Sequence, residues 1–470
     1  DCKDSIINGA NDLADIYSIK LAKLGIAAGD IPSGLTIELS VEKPSGEPSG
    51  EPTAKDRVRI FRSKAQDAQG VVGPASLPDK VVFKKSPGSS DMDIDLLCGT
   101  GDLEMGIEGI HYGREVILIL VAKLNGQELC KDSIRLLVSP FLVLANTDKA
   151  TKAYVASGPD FEEGSDWVDF YNDTAAALNG VVQVVTYGSM QFIQDYGEIG
   201  ATRSAPGQVD RKLCTIASFQ NNGFASQVAS DTGYFDISGA ANDGGNIEAS
   251  PPISGYLYGR LIVGSSLQDP AKAFLQLQKL QTDNGNMITL PVGWLQVGHV
   301  DEVMTIVPVG SGFNVLVADL QLAIDLLQNN PNEETSGGFD TRAQILAKYT
   351  ANPTKVAAIN SDLAAVRSAL AQGLGMNEND FIKVPVPFTV DTPKAKTSLP
   401  NMVNMIVVNP QSGALNLVVP HPCFVPFGTS LGESLSAVGF SGTVNFVDTA
   451  GPHAACGEAH CASNVRRDLP

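Results

Sequence analysis

Residues 294–308 read WLQVGHVDEVMTIVP, in which His299 and Asp301 stand between dense apolar flanks. If this segment is a β-strand, His299 and Asp301 point to the same face, where Val297 flanks them. One strand would then present an imidazole and a carboxylate to a single pocket. The alternative is a surface loop with a solvated His and Asp. The apolar flanks favour burial, and a buried Asp needs a partner.

A second segment with polar groups, residues 191–200, reads QFIQDYGEIG. An extended conformation places Asp195 on one face and Gln194 with Glu198 on the other. The segment could therefore offer one carboxylate to a pocket and two oxygen ligands to a cation behind it, and such ligands suit calcium. An acidic strand end without a ligand is the alternative.

The third segment, residues 456–467, reads CGEAHCASNVRR. Cys461 is a candidate nucleophile, because a thiolate can attack an electrophile when an imidazole moves protons and a carboxylate positions the reacting groups. On a strand, the adjacent His460 would point away from Cys461. We therefore expect His460 to contribute packing and the distant His299 to serve as the base.

The seven cysteines are an odd number, so at least one cannot pair within the chain. Our candidate for that thiol is Cys461, and the sequence does not select a pairing for the other six. No C-x-x-C motif occurs, and the histidines lack the spacing of a zinc ligand set, so structural zinc is not expected.

The chain has 470 residues and a net charge of −19. This length predicts two or three domains. The negative field disfavours a nucleic-acid partner and favours a cationic or neutral substrate. No window is apolar enough to span a bilayer, and the first residues lack the apolar core of a signal peptide. A glycosylation sequon at 172–174 favours a secreted protein, with a cytoplasmic one as the alternative.

Residues 1–145 have the pattern of a β-rich domain. Alternating apolar and polar residues predict strands over 35–42, 58–61 and 134–138. Residues 116–122 (VILILVA) predict a buried strand that enters a hairpin turn within 123–127. Short strands with frequent turns favour a β-sandwich.

Residues 146–470 have a different pattern, in which apolar strands alternate with helices. Helical spacing of apolar residues predicts helices over 270–281, 319–329 and 355–374. The last should end at Gly375, because glycine commonly ends helices. The whole chain is therefore predicted to be an α+β multidomain protein, without a legible internal repeat in its second part.

Five motifs carry a resemblance to a known family. They are GNIEASPP (245–252), GHVDE (298–302), PNMVNM (400–405), GEAHC (457–461) and NVRR (464–467). Together they resemble the calcium-dependent protein-arginine deiminases over residues 146–470, and residues 1–145 resemble the immunoglobulin-like domain that precedes the catalytic domain in that family. The resemblance implies a pentein fold for residues 146–470, an α/β-propeller of five ββαβ units around a central pocket.

By this resemblance, Cys461 is the nucleophile, His299 is the general acid/base, and Asp195 and Asp301 bind the guanidinium of an arginine in a protein or peptide. Carboxylates suit this planar cation because its fork donates paired charge-assisted hydrogen bonds to them. The implied reaction converts the arginine to citrulline and releases ammonia through a covalent thiouronium intermediate on Cys461.

Further positions that the resemblance implies for substrate binding are Phe192, Val297, Asn404 and Asn222. Phe192 stands where the family has a tryptophan, and Asn222 stands where it has an arginine that binds the substrate backbone. These departures leave open whether peptides or small arginine compounds are preferred.

The resemblance also implies a calcium site. Its ligands would be the side chains of Gln194, Glu198 and Glu248 and the backbone carbonyls of Gly244 and Ile247. All three side chains suit calcium, so one site is expected. The second calcium site of the family is expected to be lost, because Tyr196 and Ala217 replace its acidic residues.

Other activities remain open at this point. The same fold could serve a free-arginine or agmatine deiminase, or a binding protein without catalysis. A papain-like protease is disfavoured, because its cysteine normally precedes its histidine and Cys461 follows His299.

Overall fold

The structure is a computed structural model. It describes residues 5–7, 16–45, 52–110, 114–138, 141–158, 165–187, 191–203, 212–219, 223–228, 235–237, 243–276, 278 and 280–468. The chain divides into two compact units, Asp1–Pro140 and Phe141–Pro470. The sequence patterns change at about residue 145, a few residues after this division.

The first unit is built from nine described strands and one short helix. They are β1 (Tyr17–Ala22), β2 (Leu35–Glu42), α1 (Ala54–Arg57), β3 (Val58–Phe61), β4 (Gly70–Val72), β5 (Lys80–Lys84), β6 (Met92–Asp93), β7 (Asp102–Gly109), β8 (Glu115–Leu124) and β9 (Gln127–Leu137). They form two sheets with the strand orders β1-β7-β3-β4 and β6-β5-β2-β8-β9.

The two sheets of this unit share one hydrophobic core. Ile37 of β2 and Phe83 of β5 lie in it with Ile60 of β3 and Met105 of β7. These contacts follow from the alternation of the strands, because every second side chain points to the same face. The predicted strands at 35–42 and 58–61 are confirmed.

The predicted hairpin after residues 116–122 is also confirmed. Strands β8 and β9 pair in antiparallel fashion. The turn residues Asn125 and Gly126 have φ values of 50° and 83°. Tight two-residue hairpin turns need positive φ at both positions, which Asn and Gly tolerate.

The second unit mixes strands and helices. Its strands are β10 (Leu142–Val143), β11 (Lys149–Val155), β12 (Gln183–Thr186), β13 (Gly197–Arg203), β14 (Lys212–Ser218), β15 (Phe235–Asp236), β16 (Ile247–Ala249), β17 (Leu261–Gly264), β18 (Ile288–Leu290), β19 (Met304–Val309), β20 (Gly312–Asp319), β21 (Ile382–Pro385), β22 (Ile406–Pro410), β23 (Asn416–Pro420), β24 (Thr443–Val447) and β25 (Ser463–Asp468). Its helices are α2 (Asp166–Ala177), α3 (Phe224–Val228), α4 (Asp269–Gln276), α5 (Leu320–Asn329), α6 (Arg342–Ala351), α7 (Pro353–Leu374), α8 (Val425–Ala437) and α9 (Ala450–Ala454).

One pairing pattern recurs through the second unit. An antiparallel strand pair is followed by helix and then by a third strand parallel to the second. The described residues contain this pattern in β13-β14-α3-β15, β16-β17-α4-β18, β19-β20-α5-α6-α7-β21 and β22-β23-α8-β24. A further set joins both ends of the unit, because β25 pairs with β11 in antiparallel fashion and β12 follows α2 in parallel with β11.

Two of the three predicted helices match the structure closely. The helix α5 begins after Asp319, whose carboxylate accepts the backbone N–H of Leu322 as an N-cap. The helix α7 ends at Gly375 with a φ of 68°, as the glycine predicts.

The helix predicted over 270–281 ends earlier, at Gln276. Two buried glutamines beyond it have another role. The side chain of Gln278 accepts the N–H of Phe141, and that of Gln281 binds both the N–H and the carbonyl of Val143. The two glutamine side chains therefore form hydrogen bonds with backbone groups of a neighbouring segment.

No helix in the part of the chain that the structure describes is long and apolar enough to cross a membrane.

Candidate active site

The candidate site is assembled from five short segments of the second unit. Each segment ends just before the first strand of one of the five sets. The segments are 191–196 before β13, 243–246 before β16, 298–302 before β19, 400–405 before β22 and 456–462 before β25. Equivalent positions in successive sets thus supply the residues that the sequence analysis selected.

Contacts between these segments form a closed ring. Gln194 approaches Gly244, since its side-chain Nε2 lies 3.5 Å from the Gly244 carbonyl oxygen. Gly245 lies against Asp301. The ring continues through Asn404, which donates from Nδ2 to the Asp301 carbonyl at 3.2 Å and to Cys461 Sγ at 3.3 Å. It closes where the Gln194 N–H donates to the Cys461 carbonyl at 3.2 Å.

Cys461 is buried and its sulfur meets a carboxylate. Its Sγ lies 3.4 Å from Asp301 Oδ2. Burial raises the pKa of the Cys461 thiol well above its ordinary value, and the charges of Asp301 and Asp195 raise it further. The thiol is therefore neutral in this environment without a cation beside it.

Asn404 holds the segment that carries Cys461. Its Oδ1 accepts the backbone N–H groups of His460 at 2.9 Å and Cys461 at 3.3 Å. With its Nδ2 on the sulfur, one buried side chain fixes both the backbone and the thiol of the candidate nucleophile.

Asp301 has one oxygen engaged and one unsatisfied. Its buried Oδ1 has no hydrogen-bond partner among the described residues. Burial also raises the pKa of Asp195 to about 7, with Asp301 and Asp243 as further causes. Two carboxylates whose charges act on each other, one of them with an unpaired buried oxygen, favour a cation that donates hydrogen bonds.

His299 lies beside Asp301, but not on a strand. Val300–Glu302 is a 3-10 turn and the strand β19 begins only at Met304, so the interpretation of a strand that carries His299 and Asp301 is wrong. The chain turns because Gly298 has a φ of 89° and because Glu302 Oε1 accepts the N–H groups of Gly298 and His299, both at 2.8 Å. His299 and Asp301 still converge, since His299 Nδ1 and Asp301 Oδ2 both lie within 2.8 Å of the point that a Cβ on Gly245 would occupy.

Contrary to our expectation, His460 does not lie on a strand that would point it away from Cys461. The segment before β25 is a turn and not a strand, so neighbouring side chains do not alternate. His460 Nδ1 lies 3.0 Å from Asp301 Oδ2, and its Nε2 lies 3.6 Å from Glu248 Oε1. Burial opposes the charged imidazole, but Asp301 and Glu248 outweigh it and raise the pKa of His460.

The residues expected to bind calcium lie behind this pocket. Gln194 Nε2 donates to Glu198 Oε2 at 2.9 Å, and Glu198 and Glu248 are both buried. Burial raises the pKa of each, and the charge of Glu248 adds to the effect on Glu198. Among the described residues, no cluster of three or more His, Cys, Asp or Glu could hold a metal ion. A set of two carboxylates with amide and carbonyl oxygens nevertheless fits a hard cation such as calcium.

The other candidate substrate residues are placed as follows. Val297 and Asn404 line a small cleft that opens to solvent, with Cys461 in its wall. Phe192 packs against Gly457, where a Cβ would lie 2.2 Å from its ring. Asn222 lies outside the described residues.

Sequence reasoning missed several residues of the cleft. They are Glu302, Lys396, Thr397, Asn401, His453, Cys456, Gly457 and Glu458. Glu458 links two segments, because its Oε1 accepts the N–H of Asn401 at 3.1 Å and its Oε2 accepts the hydroxyl of Thr449 at 2.8 Å. The sequence signal that could have identified Glu458 is its position in the GEAHC motif.

Five of the seven cysteines are unpaired in the part of the chain whose side chains the structure describes. Cys98, Cys130, Cys423, Cys456 and Cys461 are free thiols.

Comparisons with known proteins give one consistent result. A sequence model described as "Protein-arginine deiminase (PAD)" matches residues 128–469. The chain is 26% identical to protein-arginine deiminase type-1 of Mus musculus, over 81% of this chain and 64% of that protein. It is 27% identical to the type-4 enzyme of Homo sapiens, over 99% of this chain and 74% of that protein. For type-3 of Rattus norvegicus the identity is 29%, over 59% of this chain and 46% of that protein. The chain thus spans about half to three quarters of these relatives.

Among solved structures, an agmatine deiminase of C. jejuni superposes with a TM-score of 0.44 at 13% identity, covering 71% of this chain and 98% of that chain.

Proposed function

Because this chain belongs to the protein-arginine deiminase family, we propose that it converts peptidyl arginine to citrulline and releases ammonia. The observation that carries the proposal is the contact between Cys461 Sγ and Asp301, at 3.4 Å, beside an unpaired buried oxygen of that carboxylate. The candidate nucleophile thus lies in contact with a carboxylate that could accept hydrogen bonds from a guanidinium.

In the proposed reaction, the carboxylates of Asp301 and Asp195 bind the guanidinium and Cys461 attacks its central carbon as a thiolate. The tetrahedral adduct expels ammonia, which receives its proton from His299, and a thiouronium remains on Cys461. His299 then deprotonates a water that attacks this carbon. The C–S bond breaks, and citrulline leaves while the thiol is regenerated.

The substrate itself helps to ionise the nucleophile in this proposal. Burial, Asp301 and Asp195 keep the pKa of the Cys461 thiol high. A bound guanidinium brings a permanent positive charge to these carboxylates, which removes part of the penalty for a thiolate.

Calcium is part of the same proposal. Gln194, Glu198, Glu248 and the carbonyls of Gly244 and Ile247 would hold one ion, whose chemistry there is to neutralise two buried carboxylates. Gln194 and Gly244 lie in the segments that carry Asp195 and contact Asp301 through Gly245, and the other ligands follow directly on β13 and β16. Their order would therefore fix the guanidinium site. The second site of the family is proposed to be lost, with Tyr196 and Ala217 in place of its acids.

The proposed architecture is a pentein propeller of five ββαβ units, preceded by an immunoglobulin-like domain. The recurring strand pattern, the β25-β11 pairing and the closed ring of site contacts support the propeller. The two sheets that share one core support the domain before it.

An assay of ureido product tests the function. The protein with calcium should convert an N-acylated arginine amide to the citrulline compound, whereas Cys461→Ala should not. The same assay with a chelator tests the calcium requirement. Absence of product from the acylated amide would refute the function, and full activity in chelator would refute the calcium proposal alone.

A further inference from the structure

The peptide group that joins Gly298 to His299 is held at both of its polar ends. Its carbonyl oxygen, on Gly298, accepts the hydroxyl of Ser266, which lies in the loop after β17. Its N–H, on His299, donates to Glu302 Oε1 at 2.8 Å. Two side chains therefore fix the plane of this peptide group. A rotation of the plane would swing the Cα–Cβ bond of His299 and displace its imidazole.

A second hydrogen bond sets the direction of the Ser266 hydroxyl. The fully buried Asn246 donates from Nδ2 to Ser266 Oγ at 3.1 Å. Because the serine oxygen accepts this bond, its own proton is directed to the Gly298 carbonyl. Asn246 can approach because Gly264 has no side chain, and a Cβ there would lie 2.0 Å from Asn246 Oδ1. Ser266 therefore links two of the five site segments.

The same two segments also meet at the imidazole itself. A Cβ on Gly245 would lie 2.8 Å from His299 Nδ1, so the backbone of one segment lies against the ring of the other. Ser266 adds a restraint on the backbone of the histidine. His299 is thus restrained at its ring and at its main chain, as proton transfer at a fixed geometry requires.

Ser266 itself is an exposed residue and is not among the described residues that line the cleft. Its hydroxyl is nevertheless engaged in hydrogen bonds with two site segments. An exposed serine buries little apolar surface, so removal of the hydroxyl should leave the folded state intact. The two bonds therefore serve the local geometry of the site and not the packing of a core.

We propose that Ser266 is a positioning residue, whose hydroxyl holds the peptide group before His299 and so keeps the imidazole in place for proton transfer. The inference rests on the proposed deiminase reaction and adds the residue that orients its general acid/base. Asp301 is held separately, because Asn404 Nδ2 donates to its carbonyl at 3.2 Å. Loss of the serine hydroxyl should therefore impair proton transfer more than guanidinium binding.

The first test measures steady-state kinetics of Ser266→Ala and of the unmodified protein, with an N-acylated arginine amide and calcium. We expect kcat to fall about tenfold while KM stays within about twofold, because a small displacement of the acid/base slows the proton transfers. Ser266→Thr keeps a hydroxyl at the same position and should restore most of kcat.

The matched control is Ser265→Ala. Ser265 is the neighbouring exposed serine, and its Oγ accepts the N–H of Val292 at 3.2 Å. This change removes the same chemical group and one hydrogen bond from the same loop. Because that bond does not hold the peptide group before His299, kcat should stay close to that of the unmodified protein.

Amide hydrogen exchange supplies a readout that needs no turnover. Mass spectrometry of peptides that contain residues 298–302 follows the N–H of His299, whose bond to Glu302 depends on the orientation of the peptide group. Exchange in this segment should be faster in Ser266→Ala than in the unmodified protein and in Ser265→Ala.

The outcomes separate the inference from the function. An unchanged kcat in Ser266→Ala, or equal losses in Ser266→Ala and Ser265→Ala, overturns the inference while turnover by the unmodified protein supports the function. A rise in KM that accounts for the whole loss of kcat/KM overturns it as well. Absence of product from the unmodified protein refutes the function itself. Unchanged exchange in Ser266→Ala then overturns the inference independently, since the serine would not hold this backbone.

Discussion

At the scale of single residues, Gly245 limits what the site can accommodate. A Cβ at this position would lie 2.7 Å from Asp301 Oδ2 and 2.8 Å from His299 Nδ1. The missing side chain therefore lets the segment before β16 approach both groups. The backbone of Gly245 is not in the left-handed region, so an alanine would be strained only by these contacts.

We predict that Gly245→Ala lowers kcat/KM for arginine substrates by about a hundredfold or more, because it displaces Asp301 and His299 from their reacting positions. The melting temperature should change little by comparison. Steady-state kinetics and thermal unfolding measure the two effects. Gly293→Ala is the control, since its Cβ would meet its nearest atom at 3.8 Å. Equal kinetic effects of both changes would contradict this explanation.

The sequence predicted several contacts of the site, but not all of them. The resemblance selected Cys461, Asp301 and Asn404, and the structure brings these three together. The approach of His460 to Asp301 was not predictable, because the alternation rule applies to a strand and His460 lies in a turn.

At the scale of elements, Arg467 joins the strand β25 to its surroundings. Its buried guanidinium donates to the Val407 carbonyl at 2.7 Å and to Asn146 Oδ1 at 2.8 Å. Burial lowers the pKa of Arg467 to about 10, with Asp148 and Glu248 acting in the opposite direction. Since β25 follows the Cys461 segment directly, this side chain also supports the candidate nucleophile.

We predict that Arg467→Met destabilises the second unit by about 3 kcal/mol, because several buried acceptors lose their donor. Denaturant unfolding should show a lower midpoint for this unit and an unchanged midpoint for the first. Arg466→Met, at the neighbouring and less buried position, is the matched control. An equal loss in both variants would show that the guanidinium contacts contribute little.

Helix ends that are marked by a residue in the local sequence were predicted well. Ends that depend on contacts with distant residues were not. Gly375 and Asp319 mark helix ends in the sequence itself, and both ends are confirmed. The end of α4 depends on Gln278 and Gln281 binding β10, which no local pattern reveals. The recurring strand pattern is likewise visible in how the strands pair, whereas the amino-acid sequence shows no corresponding repeat.

At the scale of the whole molecule, the stability of the second unit should depend on pH through Glu302. Burial raises the pKa of Glu302 to about 8 from an ordinary value of 4.5, against the effect of the His299 N–H. The folded state therefore holds the proton more tightly than the unfolded state. This stabilisation is complete below pH 4.5 and is lost as the pH rises through 8.

We predict that the melting temperature of the second unit falls between pH 5 and pH 8, and that Glu302→Gln reduces this fall. Glutamine keeps an oxygen for the N–H groups of Gly298 and His299 but does not titrate in this range. Glu433→Gln, at an exposed position on α8, is the control. Parallel pH profiles for the unmodified protein and Glu302→Gln would contradict the assignment.

The division into two units was predictable because the sequence pattern changes from strands alone to strands with helices. A secreted location stays a prediction. Its sequon lies on α2, where the Asn172 side chain is exposed and Thr174 is buried.

The pairing of β25 with β11 has a consequence for synthesis on the ribosome. The two strands are separated by roughly 300 residues, so one sheet of the second unit cannot close until translation has passed β25. The first unit can fold long before that moment. Cys461 and the asparagine that orients it therefore come together only after the chain through β25 has been synthesised, long after β11.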